Sequence, residues 1–436
     1  MGKIRYALFA AIGLWALPTG CDEGSPRGCP GGCAAGQVCD YATGRCVDLR
    51  PATPPPDLGR YPSAAFDDAG RLQVACYAAR YGDLVLGRER GDGGLDWEYV
   101  DGLPPADDPA LLQDPAPIIP GPDVGLFASL ALDALDRPHV AYFDRSGGRL
   151  RYATRSGQGW EIEIVPRLDG ADAGPVGRAA ALVLDAAGMA RIAFLDETSG
   201  SVMLARKLDA ERWLIERVGG CAAGESWSGP LAAEPGRSIA LVLDERGAEW
   251  VAFQDPCSGA LKLASRKPEG WTAAELAAGP EAGGWVSAAL DADGNLAVAF
   301  SDRGAGSLRF AWNAGGTMKT RLLDAGSRLD GSGAEHRWPV GQHCTLAYGP
   351  DGLARVAYLD SSQLDLMLVV ERPDGDFSDP EVLAGDGVVG LHNALVAGPD
   401  ALRLLTYRLA RDEQGRAAGE LLSTSLPLGA ALRSVP

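Results

Sequence analysis

Basic residues are in short supply in this chain. Forty Lys and Arg stand against 58 Asp and Glu, giving a net charge of −18 and an isoelectric point near 4.7. A surface that neutralises phosphates needs the opposite balance, so a nucleic-acid partner is excluded. Histidine is scarcer still. His139, His336, His343 and His392 are the whole set, and no two make a close metal-ligand pair, so no metal site is expected. Gly-x-Ser-x-Gly, His-Glu-x-x-His and phosphate-binding Gly-loop motifs are absent. Their absence removes support for the corresponding hydrolase, metalloprotease and nucleotide-binding classes, and no cofactor is expected. Beyond residue 20 no apolar run approaches 18 residues, so no later segment reads as a spanning helix. Turn-forming residues, by contrast, are abundant. The 58 Gly and 30 Pro make up about a fifth of the 436 residues, against about 12% in ordinary proteins. Many turns favour an all-β architecture over helix bundles, and an apolar content of 46% argues against wholesale disorder.

Residues 1–20 read as an export signal. Lys3 and Arg5 supply a short basic region, and the apolar run from Tyr6 to Leu17 is too short to span a bilayer. Leu17-Pro18-Thr19-Gly20-Cys21 follows. It resembles the bacterial lipobox, in which a Cys is diacylated and becomes the mature N-terminus. Here Pro18 takes the usual Leu position, with Leu17 one residue further back. The resemblance implies cleavage before Cys21 and lipidation of Cys21; the alternative is an ordinary secretory signal. An acylated Cys21 places the protein in the bacterial cell envelope, at the outer membrane or cell surface, with the lipid as its membrane contact.

Four cysteines then cluster in residues 21–48: Cys29, Cys33, Cys39 and Cys46. So short an exported segment cannot build a hydrophobic core, and two disulfides are the natural staple. Three connectivities are open. The spacing lacks a Cys-x-x-Cys pair, which argues against zinc. The segment resembles small Cys-rich modules that follow the anchor in bacterial surface lipoproteins. Residues 49–60 contain a Pro-rich, stiff spacer.

Self-similarity dominates residues 61–436. Seven copies of one pattern begin at Ser63, Ser129, Ala181, Ala240, Ser287, Thr345 and Ala394. Each has a short apolar run, a turn that usually carries Asp or Gly, and an alternating run, which in most copies ends in Ala-aromatic-x-Asp. This is the signature of a β-hairpin. A third run follows in most copies, starting at Leu150, Val202, Leu261, Leu308 and Leu366, and a fourth often carries an aromatic: Trp97, Trp160, Trp213, Trp271 or Phe377. Four short strands per repeat predict a β-propeller blade, and seven copies predict a seven-bladed β-propeller. A lone blade leaves both faces wet, whereas stacking blades in a closed ring buries them. Asp133, Asp185, Asp244 and Asp291 are expected to be turn formers.

The fullest copy, from Asp133 to Asp144, resembles repeats of bacterial surface proteins and, distantly, BNR and sialidase propellers. That likeness implies the fold and says little about activity. Arg60-Tyr61-Pro62 with Arg80 and Asp83 is similar to the opening of sialidases. In that reading Arg60 and Arg80 would grip a carboxylate and Asp83 would be the acid, making the protein an exo-sialidase-like glycosidase. However, Tyr61 replaces the usual Ile, and no Ser-x-Asp-x-Gly-x-Thr-Trp box is present. A non-enzymatic binding protein is therefore the first expectation.

Propeller connectivity places the joins and the second-to-third-strand loops on one face. The long insertions, 102–126, 219–237, 277–285 and 325–342, fall there. Asp144, Asp196, Asp255, Asp302 and Asp360 end second strands and are expected to begin turns rather than hold a cation. Two residues before each repeat start the sequence varies: Tyr61, Phe127, Ala179, Ser238, Trp285, His343 and His392. Trp285, His343 and His392 belong to consecutive copies and are expected to line one arc of the channel mouth. His336 and Trp338 should lie in the loop above, suited to a protein or glycan ligand. Cys221 and Cys257 are expected to form a disulfide, with Cys76 and Cys344 reduced and buried. A monomer is expected.

Overall fold

The computed structural model describes residues 37–40, 45–48, 57–102, 121–157, 159–168, 174–221, 238–329, 332–411 and 417–428. Cys21, Cys29 and Cys33 lie outside the described residues, as do the side chains of Cys39 and Cys46. Two short strands, Gln37–Asp40 and Arg45–Asp48, pair antiparallel with Cys39 opposite Cys46.

From Leu58 the described chain is a seven-bladed β-propeller, without helices among the described residues. The first blade runs Leu58–Phe66, Leu72–Ala78, Asp83–Glu89 and Leu95–Asp101 from the axis outward. The first strands of the next five blades are Val124–Leu132, Val176–Leu184, Ile239–Leu243, Ala282–Leu290 and Val340–Tyr348, and each of these blades also has four strands. The last blade departs from the four-strand expectation. Among the described residues it has three strands, Val388–Ala397, Leu402–Arg411 and Ala417–Leu426.

Turn chemistry shapes each blade. Asp185 Oδ1 accepts the N–H groups of Ala187 and Met189 at 3.0 and 2.9 Å, and Asp291 Oδ1 those of Asp293 and Asn295 at 3.0 and 2.7 Å. Asp133 and Asp244 do the same in their blades. These are the structural roles expected of the four residues. In the second blade Asp136 adopts φ 58° where Gly188 has 75° in the third, a conformation Asp tolerates better than most residues.

Each neighbouring pair of blades buries its own apolar layer. Leu84, Val140 and Tyr142 lie in the layer between blades one and two, Phe194 and Ile192 in the next, and Phe300 and Val298 in the fifth blade's contact with the fourth. The ring closes where Leu72 and Val74 of the first blade meet Leu405 and Ala394 of the last. Arg403 pairs with Glu89 at 3.0 Å across this seam, and Tyr407 donates its hydroxyl to Asp57. The first strands are also stitched side by side. Leu130, Leu182 and Leu346 donate their N–H groups to Ser63, Ser129 and Ser287 of the preceding blade, each at 2.9 Å, and Leu395 donates to Thr345 at 3.0 Å. Each hydroxyl sits at a repeat start and satisfies an N–H on the open inner edge of the next blade's first strand. These bonds fix the spacing of the strands that carry the candidate site.

Candidate functional site around the central channel

Five of the first strands are irregular at the same place. Arg60 pairs with Tyr77 and Ser63 with Ala75, so Tyr61 and Pro62 together oppose Cys76 alone. The same two-against-one step occurs around Phe127, Ala179, His343 and His392. A β-bulge re-aims the side chain it carries. The cause lies two residues upstream, where a glycine lets the strand press on its neighbour. A Cβ on Gly177 would lie 2.7 Å from the Leu150 Cα of the preceding blade, and Gly177 adopts φ 109°.

The bulged residues then take left-handed backbone conformations: Tyr61 52°, Phe127 56°, Ala179 56°, His343 53° and His392 50°. For a residue with a Cβ such a conformation costs about 1–3 kcal/mol. Five blades thus keep one strained conformation, and four of the five carry an aromatic or imidazole ring there.

These rings touch in sequence around the axis. Phe127 meets Tyr61 at 4.6 Å between centroids, Tyr61 meets His392 at 4.3 Å, His392 meets His343 at 4.9 Å and His343 meets Trp285 at 5.1 Å. The arc spans blades two, one, seven, six and five. Blades three and four contribute only the small residues Ala179 and Ser238, both buried. The ring of side chains is therefore lopsided, with bulk on five blades and little on two.

Within the arc, Tyr61, His343 and His392 remain partly exposed. Trp285 does not. It is 8% exposed, packs with Cys344 and Val340, and carries the Arg303 guanidinium 5.8 Å above its ring. Its Nε1 is buried without a hydrogen-bond partner. Asn393 secures the backbone by donating to the carbonyls of His343 and Gly390 at 3.1 and 2.9 Å. His343 keeps a partial opening to the channel, yet burial among its neighbours lowers its pKa to about 4, so the imidazole is neutral at pH 7.

The structure thus brings Trp285, His343 and His392 together and adds Tyr61 and Phe127. Both additions were readable as members of the same repeat position. Arg303 over Trp285 had no local signal, because the contact crosses from a loop to a strand. His336 and Trp338 lie in and just after a separate hairpin, Ser327–Leu329 with Glu335–Arg337. Their rings are 6.2 Å apart, and Trp338 is 45% exposed.

The carboxylates ending the second strands are occupied. Asp144, Asp196, Asp255, Asp302 and Asp360 each accept a backbone N–H of the following turn, from Gly147, Thr198, Cys257, Ala305 and Ser362 at 2.7 to 3.0 Å. Each also has a basic partner. Arg151, Lys262 and Arg309 come from third strands, whereas Asp196 and Asp360 pair with Arg167 and Arg328 from the joins. The change of partner has a simple reason: Met203 and Met367 occupy the third-strand position of the cation in blades three and six. Burial pushes the Asp255 carboxyl up, but Lys262 and the turn N–H groups hold it below the usual range. Among the described residues no cluster of three metal-ligating side chains occurs.

The residues of the sialidase-like reading sit apart in role. Arg60 bonds Asp57 and the Tyr407 hydroxyl, each at 3.2 Å, within the closure seam. Arg80 is exposed on a turn. Asp83 is 2% exposed, with Gly102 packed so close that a Cβ there would lie 2.3 Å from its Oδ1. Cys221 and Cys257 form the expected disulfide with Cα atoms 5.2 Å apart, and Cys76 and Cys344 are free and buried.

No protein-family model matches the chain, and no curated protein matches it in sequence. Solved structures resemble it in fold. A puromycin hydrolase S511A mutant complexed with PGG aligns with a TM-score of 0.50 at 16% identity, covering 87% of this chain and 54% of the hydrolase. This chain therefore spans about half the length of that protein. The periplasmic gluconolactonase of Pseudomonas aeruginosa aligns at 0.46 with 16% identity, covering 83% and 96% of the two chains. The six-bladed fucose-recognising lectin of Aleuria aurantia aligns at 0.39 with 12% identity, covering 68% and 92%. At these identities the likeness is one of β-propeller fold.

Proposed function

We propose that this protein is a lipid-anchored binding protein of the bacterial cell envelope that captures a protein or glycan ligand at its central channel. The observation that carries this reading is the arc of contacting rings from Phe127 to Trp285. Four of its rings rest on a backbone conformation that costs free energy in each blade. Packing alone does not require such rings in five blades, since Ala179 fills the same bulge in the third. Strain kept at one place of a repeated scaffold is a mark of function. The neutral His343 imidazole and the Tyr61 phenol offer both hydrogen-bond donors and acceptors next to aromatic surface, which suits sugar rings and peptide side chains.

Anchoring through Cys21 would hold the propeller at a membrane, with the Cys-rich segment and Pro-rich spacer between. The sialidase-like alternative gains no support from Asp83, whose carboxylate is buried. The test is ligand capture by the purified propeller and by a variant in which the exposed rings of the arc are removed without disturbing the bulge.

A further inference from the structure

In the six four-stranded blades, the residue of the third strand that faces the Ala of the Ala-aromatic-x-Asp run, or its counterpart, follows a rule with two exceptions. It is Leu86, Leu204, Leu263 and Leu368 in blades one, three, four and six. In blades two and five it is aromatic, Tyr152 opposite Ala141 and Phe310 opposite Ala299. Each of these two aromatics lines a cleft against the following blade, of about 750 Å³ at Tyr152 and about 230 Å³ at Phe310.

In the larger cleft the groups around Tyr152 are paired, although His139 Nε2 is buried with Asp133 Oδ2 3.5 Å away and no hydrogen bond. The Tyr152 hydroxyl lies 2.5 Å from His139 Nδ1, and Lys207 pairs with Glu163, which also accepts from Trp213 Nε1 at 3.1 Å. The smaller cleft is different. Phe310 and Trp312 stack with centroids 6.0 Å apart, and Phe377 of the next blade closes on Phe310 at 5.0 Å. Arg321 lies over Trp312 at 5.2 Å and is held by Asp376 at 3.0 Å. Two polar groups on the opposite wall are left over. The Tyr348 hydroxyl forms no hydrogen bond to another described residue. Glu371 uses only Oε2, accepting the Ala354 N–H at 3.0 Å. Burial, with the charges of Glu371 and Asp291, pushes the Tyr348 pKa up, so its hydroxyl stays a donor.

We infer that the cleft between blades five and six is a second binding site, for a single neutral pyranose such as the terminal residue of a glycan. A pyranose has one face of C–H groups that stacks on an aromatic ring and an edge of hydroxyls that both donate and accept. The half-buried Trp312 supplies the first surface, and Tyr348 and Glu371 supply the second. The volume of about 230 Å³ is that of roughly eight waters, below the range of drug-sized pockets and matched to one sugar ring. The site shares no residue with the channel arc and stands whether or not that arc binds a ligand.

The test uses the purified full propeller and free methyl pyranosides of glucose, galactose, mannose, N-acetylglucosamine and fucose, read by saturation-transfer NMR. At least one is expected to bind with a dissociation constant on the order of 1 mM, ordinary for so small a ligand. Trp312→Leu, Tyr348→Phe and Glu371→Gln should each weaken that binding at least tenfold while thermal unfolding confirms the fold. Tyr348→Phe removes a single oxygen, and Glu371→Gln keeps an acceptor for Ala354. A channel variant, Tyr61→Gly with His392→Gly, should keep the pyranoside binding that the cleft substitutions weaken, whatever it loses at the channel. Binding of none of the five, binding indifferent to the cleft substitutions, or binding lost in the channel variant would each overturn the inference.

Discussion

His343 and His392 stand at equivalent bulges of neighbouring blades with their imidazoles 4.9 Å apart, edge to face. Two charged imidazoles at that distance would repel, and the burial that lowers His343 keeps the pair from charging together near neutrality.

This relationship makes stability depend on pH. The folded pKa of His343 is about 4, against 6.5 for an unperturbed imidazole, so between these values the unfolded chain binds more protons. The contribution is intact above about pH 6.5 and is lost as pH falls toward 4. It amounts to at most about 3 kcal/mol, less because the ring keeps some solvent contact. His139, also lowered chiefly by burial, acts in the same direction. Urea midpoints measured from pH 7 to 4.5 should fall in the parent and fall less in His343→Asn. Equal slopes would refute the assignment to His343.

The Cys221–Cys257 bridge closes a loop of 36 residues in separation, worth about 4 kcal/mol in the chain-entropy model. Cys221→Ser with Cys257→Ser should lose stability of that order in urea unfolding. Non-reducing peptide maps of the parent should show this linkage, with Cys76 and Cys344 reacting with a thiol reagent only after denaturation.

The hydroxyl stitches predict a blade-specific cost. Ser287→Ala strands the Leu346 N–H and should destabilise by about 1–2 kcal/mol. Ala240→Ser, at the equivalent repeat start in blade four, has no such bond to lose and should change stability by less than half of that. Chemical denaturation of the two variants checks the difference.

Anchoring is tested at Cys21. Cys21→Ser should abolish labelling by a palmitate analogue and either release soluble protein or leave an uncleaved precursor. A membrane-bound mutant with a normally processed N-terminus would contradict the lipoprotein reading.

Much of the fold was legible because its determinants are local and repeated. Asp185 and Asp291 announce their hairpins by spacing alone, and the Ala-aromatic-x-Asp run marks the second strand in five of the seven copies. The three-stranded last blade was harder to foresee. Residues 417–426 carry no Trp of the kind that marks the outer strands at Trp97, Trp160, Trp213 and Trp271. The arc was half legible. Trp285, His343 and His392 were picked out by their repeat position, yet Tyr61 and Phe127, at that same position, join them only once the ring closes and sets blade one beside blade seven. The exposure of each ring was not legible either, since Trp285 is covered by Arg303 from another loop.

The most direct test of the account is ligand capture by Tyr61→Gly with His392→Gly. Glycine accepts the φ values of 52° and 50° without strain, which offsets part of the packing lost with the two partly exposed rings, and a cooperative thermal transition confirms that the variant is folded. Parent and variant would be applied to an array of envelope glycans and extracellular proteins, and hits measured by surface plasmon resonance. The account predicts at least one ligand class bound by the parent through the channel, with affinity reduced tenfold or more in the variant. Capture of every such ligand at parental affinity by a fully folded variant would contradict it.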